Sequence, residues 1–137
     1  MLNFNVPLKD AHIIESLPAN SNWLTFFKTN FFGKNYCNFS GRASRREYWI
    51  SNILWGILSF IVEILVFILI EITKLNFSYI LLILSLYQIL PLWALSSRRF
   101  HDINMRAWWT LAKIPLFFTP FFKGDKKDNR FGKNIYQ

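Results

Sequence analysis

The sequence is poor in the residues that usually build catalytic and metal centres. Cys37 is the one cysteine among 137 residues, so the chain cannot form an intramolecular disulfide, and a lone thiol does not make a metal site. The sequence contains no metal-ligand spacing, no glycine-rich phosphate loop and no paired-carboxylate motif. It therefore gives no reason to expect a metal or another cofactor.

Acidic residues are scarce as well. Eight Asp and Glu stand against 16 Lys and Arg, which gives a formal net charge of +8. Such an excess of positive charge favours binding to nucleic acid, to an anionic membrane surface or to an acidic partner. Most of the cations flank apolar segments, which favours membrane anchoring. No recognised nucleic-acid-binding motif accompanies them, so we expect no nucleic-acid partner.

Apolar and aromatic side chains are abundant. Hydrophobic residues make up 53% of the chain and aromatic residues 19%, with 15 Phe and 6 Trp. A soluble domain of this size could hardly bury so many aromatic rings, whereas lipid dissolves them. The composition therefore predicts an all-α integral membrane protein.

Two apolar runs are long enough to cross a membrane. Residues 48–70 would form a helix of roughly 34 Å, against a hydrocarbon core of about 30 Å. Residues 77–97 form a second run without a charge, in which Pro91 is expected to kink or locally open the helix. The polar turn between them, residues 71–76, is short, so the two spans should form an antiparallel hairpin.

A third apolar run, residues 107–122, leaves two alternatives open. It is short for a full span and contains Lys113, Pro115 and Pro120. It could be a tilted span in a thinned bilayer, or a re-entrant or interfacial segment. The distribution of Lys and Arg predicts that the N-terminus and the loop after the second span are cytoplasmic. A third segment that turns back would keep the basic C-terminal tail, residues 123–137, on the same side.

The N-terminal part is expected to lie outside the spans. Residues 1–22 lack a continuous apolar run with a cleavage site, so they are interpreted as a tail and not as a signal peptide. Residues 23–47 should provide a helix and a basic loop. Trp23, Phe27 and Phe31 recur at helical spacing, which predicts an amphipathic helix on the membrane surface. Alternatively, these aromatic residues pack on the membrane helices as ordinary core.

Two acidic residues near the spans are expected to have structural roles. Ser44 and Glu47 fit a capping box, in which the Ser hydroxyl accepts from the amide of Glu47 and the carboxylate reaches back to the amide of Ser44. Glu47 and Asp102 should also face Arg residues of other polar blocks, because the predicted topology brings these blocks to one boundary. The alternative is that each basic side chain reaches the interface independently.

The basic residues at this boundary are candidates for an anion site. Arg suits bidentate contact with phosphate, and basic pockets between membrane helices bind phospholipid headgroups. Alternatively, Arg98 and Arg99 are topological anchors that Asp102 neutralises. A His101–Asp102 pair could instead orient a general base, although no nucleophile motif accompanies it. The candidate headgroup residues are Arg42, Arg45, Arg46, Arg98, Arg99, His101 and Arg130.

Glu63 is an ionisable residue inside the first span. Placing a carboxyl at that depth of the membrane costs free energy, so Glu63 is a candidate functional residue. Its possible partners are Gln88 on the second span and Lys113 on the third run. A hydrogen bond between helices is the simpler explanation, and proton or ion transport is the functional one.

Three short blocks carry a family resemblance. They are residues 41–49 (GRASRREYW), residues 98–102 (RRFHD) with Trp108 and Trp109 shortly after, and residues 129–132 (NRFG). In that order, with apolar runs between them, they resemble the bacterial domain-of-unknown-function family number 805 over about residues 23–134. The resemblance implies a small, multi-pass protein of the bacterial inner membrane and brings no established reaction.

Three functional hypotheses follow. The first is a non-enzymatic membrane component that presents a basic cytoplasmic surface to anionic phospholipid headgroups, to a partner protein or to a second copy of the chain. This binding should be lost when Arg98 and Arg99 become Gln. The second is a small transport or channel subunit that uses Glu63. The third is a lipid-modifying enzyme that uses His101 and Asp102.

Overall fold

The computed structural model describes residues 16–74, 78–111 and 119–136. Within these ranges the protein is all-helical and contains no β-strand, which confirms the predicted fold class. Three α-helices, α1 (Trp23–Phe31), α2 (Arg45–Thr73) and α3 (Ser78–Asp102), are followed by two short 3₁₀ segments, Ala107–Leu111 and Thr119–Phe121.

Helix α2 has defined caps at both ends. Ser44 is extended, and its hydroxyl accepts from the amide of Glu47 at 3.0 Å, as the capping box predicts. The other half of the box is not formed, because the Glu47 carboxylate turns to Arg98 instead. At the far end the backbone of Lys74 adopts the left-handed conformation, with a φ of 54°, and its amide donates to the carbonyl of Ile70.

Helices α2 and α3 are long and apolar enough to cross a membrane. The 29 residues of α2 extend for about 44 Å, so its ends reach beyond a hydrocarbon core of about 30 Å. Their outward faces carry Ile, Leu and Phe side chains; Phe60, for example, is 65% exposed. A soluble protein would bury these side chains, whereas a lipid-facing helix exposes them. Both predicted spans are therefore present as helices that could cross a membrane.

Helix α1 packs across α2 through one aromatic face. Phe26 and Phe31 are fully buried, and the Phe31 ring stacks on Trp55 with 4.3 Å between centroids. Trp23 remains exposed, and so does Phe32 just after the helix, although its ring still contacts Trp55 with 5.9 Å between centroids. The predicted helix is thus present. On its inner face the aromatic residues pack on the membrane helices as core, which was the alternative interpretation.

Pro91 lies inside α3 without ending it. A proline has no amide hydrogen, so the carbonyl four residues earlier, that of Tyr87, loses its helical donor. The hydroxyl of Tyr36, in the loop after α1, donates to this carbonyl at 2.8 Å. The local opening that Pro91 predicts is therefore filled by a side chain from another element.

The third apolar run is not a continuous helix at its described ends, which are both 3₁₀ segments. The chain leaves α3 through a turn in which the amide of Met105 donates to the carbonyl of Phe100. At the last residue of the run, the carbonyl of Phe122 accepts from Arg99 on α3. Both ends of the run thus lie at the same end of the hairpin, and no third span is shown. Residues 112–118, including Lys113, fall outside the described residues, and a re-entrant segment stays a prediction.

Candidate functional site

The polar blocks of the sequence meet at one end of the α2–α3 hairpin. The loop before α2 lies beside the last turn of α3, where the amide of Ala43 donates to the carbonyl of Arg98 at 3.0 Å. Five charged side chains fill the space between them, each at most 1% exposed. We call them the ion-pair cluster: Arg42, Glu47, Arg98, Arg99 and Asp102.

Glu47 and Arg98 form one half of the cluster. Glu47 Oε1 accepts from Arg98 Nη1 at 2.9 Å and from Asn30 Nδ2 at 3.1 Å. Asn30 closes the triangle, because its Oδ1 accepts from Arg98 Nη2 at 2.8 Å. Its Nδ2 also reaches the hydroxyl of Ser51 at 2.9 Å. These hydrogen bonds offset the hydration that the two charges lose on burial, and they cross-link α1, α2 and α3.

Asp102 organises the other half. Its Oδ1 accepts from Nε and Nη2 of Arg42 at 3.0 and 2.8 Å, a two-pronged contact that fits the planar guanidinium. Its Oδ2 accepts from Arg99 Nη1 and from the hydroxyl of Tyr136, the latter at 2.5 Å. Burial, together with this hydrogen bond, raises the pKa of Tyr136 to about 12. The hydroxyl therefore keeps the proton it donates at neutral pH.

Backbone carbonyls of the C-terminal segment, residues 122–136, complete the cluster. Three guanidinium groups face two carboxylates, so one positive charge is in excess. Arg42 Nη1 donates to the carbonyl of Lys127 at 2.8 Å, and Arg99 Nη2 donates to that of Phe122. Oriented carbonyl dipoles can balance a cation without adding a formal charge. The C-terminal segment is consequently a structural part of the site.

His101 lies at the edge of the cluster. Its Nδ1 faces the carbonyl of Gly41 at 3.0 Å, and its ring stacks on Phe131 with 3.9 Å between centroids. The guanidinium of Arg130 sits over the same Phe131 ring at 4.7 Å. The carboxylate of Asp102 is engaged elsewhere, so the side-chain pair that would orient a general base is not formed.

Arg45 and Arg46 differ from the cluster because both are exposed. They line a cavity of about 520 Å³ at the first turn of α2. Trp49 and Phe121 form an aromatic wall of this cavity, with 5.6 Å between their ring centroids. Two exposed cations and two lipid-compatible rings therefore share one opening, which we call the α2 cavity.

The structure buries His101 and divides the six arginines of the predicted headgroup site into two groups. Arg42, Arg98 and Arg99 are buried, and their Nη atoms donate to carboxylate and carbonyl oxygens of the chain itself, whereas Nε of Arg98 and of Arg99 has no partner among the described residues. Contrary to the prediction, these three do not belong to an open headgroup site. Arg45, Arg46 and the exposed Arg130 keep a surface position, with Arg130 also donating to the carbonyl of Asn104 at 2.7 Å. Glu47 and Asp102 do face arginines of other blocks, as predicted, and the structure identifies these partners as Arg98 and Arg42 respectively.

Asn30, Ser51 and Tyr136 take part in the cluster although the sequence analysis assigned them no role. A signal existed for Asn30, since it lies four residues after Phe26 and so on the same face of α1. A polar residue on an apolar face needs a partner when it is buried. Tyr136 offered no comparable signal, because only the folded C-terminal segment brings it to Asp102.

Glu63 lies far from the cluster along α2. Gln88 Nε2 donates to its Oε1 at 3.4 Å, so one of the two predicted partners faces it. The bond links α2 to α3 between their ends. The second predicted partner, Lys113, lies outside the described residues.

The three sequence blocks that carry the family resemblance thus meet at one end of an apolar hairpin. Residues 36–133 match the family described as Protein of unknown function (DUF805). The chain belongs to this family. Inner membrane protein YhaI of Escherichia coli is 34% identical over 112 residues, which cover 74% of this chain and 88% of YhaI. Inner membrane protein YhaH of the same species is 34% identical over 110 residues, covering 72% and 88%. No solved structure matches.

The comparison confirms the resemblance noted in the sequence. The DUF805 match contains the whole ion-pair cluster and most of the C-terminal segment, whereas α1, with Asn30, precedes it. Together with the two long apolar helices, the inner-membrane relatives identify an integral protein of the bacterial inner membrane.

Proposed function

We propose that this protein is a non-enzymatic membrane component that binds anionic phospholipid headgroups in the α2 cavity, on the cytoplasmic face. The observation that carries the proposal is the position of Arg45 and Arg46. They are exposed at the first turn of a membrane-crossing helix, while the neighbouring arginines are buried in ion pairs.

The chemistry of the cavity suits a phosphodiester with acyl chains. Arg45 and Arg46 can each donate two hydrogen bonds to phosphate oxygens. The start of α2 adds amides without helical partners and the positive end of the helix dipole. Trp49 and Phe121 provide the aromatic surface that is typical of the headgroup level of a bilayer.

The distribution of charge supports a cytoplasmic location for the α2 cavity. The N-terminal part of the chain, the end of α3 and the C-terminal segment meet at this end of the hairpin, and together they hold most of the Lys and Arg. The opposite end of α2 has Glu71 and Lys74, which form an exposed ion pair with each other. By the positive-inside rule the basic end faces the cytoplasm.

Native mass spectrometry tests the proposal with a charge-matched control. The protein is released from micelles that contain phosphatidylglycerol and phosphatidylcholine in equal amounts. We expect the wild type to retain phosphatidylglycerol. The double variant Arg45→Gln, Arg46→Gln should retain at least about tenfold less, which corresponds to a loss of about 1.4 kcal/mol or more in binding free energy. The control Lys126→Gln, Lys127→Gln removes the same charge from exposed positions outside the cavity lining and should retain lipid as the wild type does.

Two results would contradict the proposal. Equal retention by the wild type and the Arg45, Arg46 variant would show that the cavity does not select the lipid. Equal loss in both double variants would show a general effect of net charge. Either result would direct attention to a protein partner for the basic end.

A small transport or channel subunit remains the second candidate, favoured by the contact between Glu63 and Gln88. In that case Glu63→Gln should abolish proton or ion flux through proteoliposomes while leaving retention of phosphatidylglycerol unchanged. The headgroup proposal predicts the opposite sensitivity, so the two variants separate the candidates.

A further inference from the structure

A row of polar side chains runs along α2 from the ion-pair cluster to Glu63. Its members follow one another at intervals of four residues, so each side chain neighbours the next along the helix surface. We call this row the polar ridge: Glu47, Ser51, Trp55, Ser59 and Glu63. Because such a row is inclined to the helix axis, it winds around α2. Contacts with α3 occur at the start, middle and end of the ridge.

Three members of the ridge have a buried polar atom without a hydrogen-bond partner in the described part of the chain. These atoms are Glu47 Oε2, Trp55 Nε1 and Ser59 Oγ. Glu47 is fully buried and Trp55 is 7% exposed. A buried polar group without a partner is costly, so three of them along one row of α2 are a substantial penalty. Such a set persists where a small molecule satisfies it.

The chemistry of these atoms identifies that molecule. Glu47 Oε2 accepts, Trp55 Nε1 donates, and Ser59 Oγ can do both. An anion would be repelled by the carboxylate, and a cation would find no acceptor at the indole. Water has both roles and is the usual partner of otherwise unsatisfied buried groups.

The spacing also suits water. Four residues of α-helix rise about 6 Å, and two O–H···O hydrogen bonds of about 2.8 Å that meet at one water span about 4.5 Å, so side chains inclined towards each other bring successive members within reach of a shared water. Single water molecules can therefore bridge the intervals of the polar ridge. We propose that a file of water molecules lies along the polar ridge and connects Glu63 with the ion-pair cluster. Through this file the membrane carboxyl exchanges protons with the basic end of the hairpin.

Radiolytic footprinting of the full chain in micelles tests the water file. Brief X-ray exposure generates hydroxyl radicals from water where it lies, and mass spectrometry measures the oxidation of each side chain. We expect rapid oxidation of Trp55 despite its burial, and a severalfold decrease in Ser59→Val, which removes a hydroxyl from the ridge with little change in size. Trp93, on the outer surface of α3, serves as the internal reference. Its rate should be unchanged if the variant is folded.

The matched control is Ser85→Val on α3. The Ser85 hydroxyl is exposed and already donates to the carbonyl of Leu81 at 2.9 Å, so its removal should leave oxidation of Trp55 unchanged. Equal oxidation of Trp55 in the wild type and in Ser59→Val would overturn the proposal. A decrease of the same size in Ser85→Val would overturn it too, since the effect would then not depend on the ridge.

Discussion

Two glutamates of α2 allow the contribution of the ion-pair cluster to be measured. Glu47 and Glu71 each form an ion pair at 2.9 Å, with Arg98 and with Lys74 respectively. The side chains of the first pair are at most 1% exposed, whereas those of the second are 58% and 77% exposed. Replacement of either glutamate by Gln makes the same chemical change in surroundings that differ in burial.

The expected magnitudes follow from what each substitution leaves behind. In Glu47→Gln the Arg98 guanidinium remains buried without its counter-charge, which typically costs about 3–5 kcal/mol. A Gln amide oxygen can still accept one hydrogen bond, from Arg98 or from Asn30, so we expect the lower part of that range. In Glu71→Gln the lost attraction is screened by water, and the change should lie within about 1 kcal/mol of zero.

Equilibrium unfolding in mixed micelles, followed by Trp fluorescence as denaturing detergent is added, gives the free energy of unfolding of each variant. We expect Glu47→Gln to lose at least about 2 kcal/mol more than Glu71→Gln. The double variant Glu47→Gln, Arg98→Met should recover much of the loss, since a buried pair can often be replaced by an apolar one. Equal, small losses in both single variants would refute the reasoning that the cluster is sealed from water.

Two further predictions concern tyrosines that hold loops to the hairpin. Tyr36→Phe should lower the free energy of unfolding by about 1 kcal/mol, because the Tyr87 carbonyl loses its donor. The same substitution in a Pro91→Ala background should have a smaller effect, because Ala restores the amide. For Tyr136 the folded pKa of about 12 lies above the ordinary value of 10. Its stabilising contribution is therefore complete below pH 10 and is lost as the pH rises towards 12. Unfolding measured across this range should show a larger loss in the wild type than in Tyr136→Phe, whose hydrogen bond to Asp102 is already absent.

The membrane hairpin could be predicted from the sequence because its signals are local. The length of an apolar run, the polar turn after it and the Ser44 cap each depend on neighbouring residues only. The pairing of Glu47 and Asp102 with arginines of other blocks could also be predicted, since a hairpin brings the two ends of its helices together.

The exposure of each arginine could not be predicted in the same way. Arg42 and Arg45 lie three residues apart, yet the first is fully buried and the second is exposed. The difference arises from the C-terminal segment, whose carbonyls cover Arg42 and leave the first turn of α2 open. The polar, lysine-rich sequence of this segment gives no sign that its backbone carbonyls are the groups that contact Arg42.

Because Arg42 donates to backbone carbonyls that are synthesised later, its burial can be completed only after the C-terminal segment has been made. Lys127, which supplies one of them, follows Arg42 by 85 residues. At a synthesis rate of about 5–20 residues per second, Arg42 exists for roughly 4–17 seconds before that partner is made. Throughout this interval the guanidinium must stay at the aqueous boundary while both membrane helices are inserted. The interior of the basic end thus closes as one of the last events of synthesis, because Arg42 and Arg99 wait for carbonyls of the C-terminal segment, whereas the partners of Arg98 precede it in the chain.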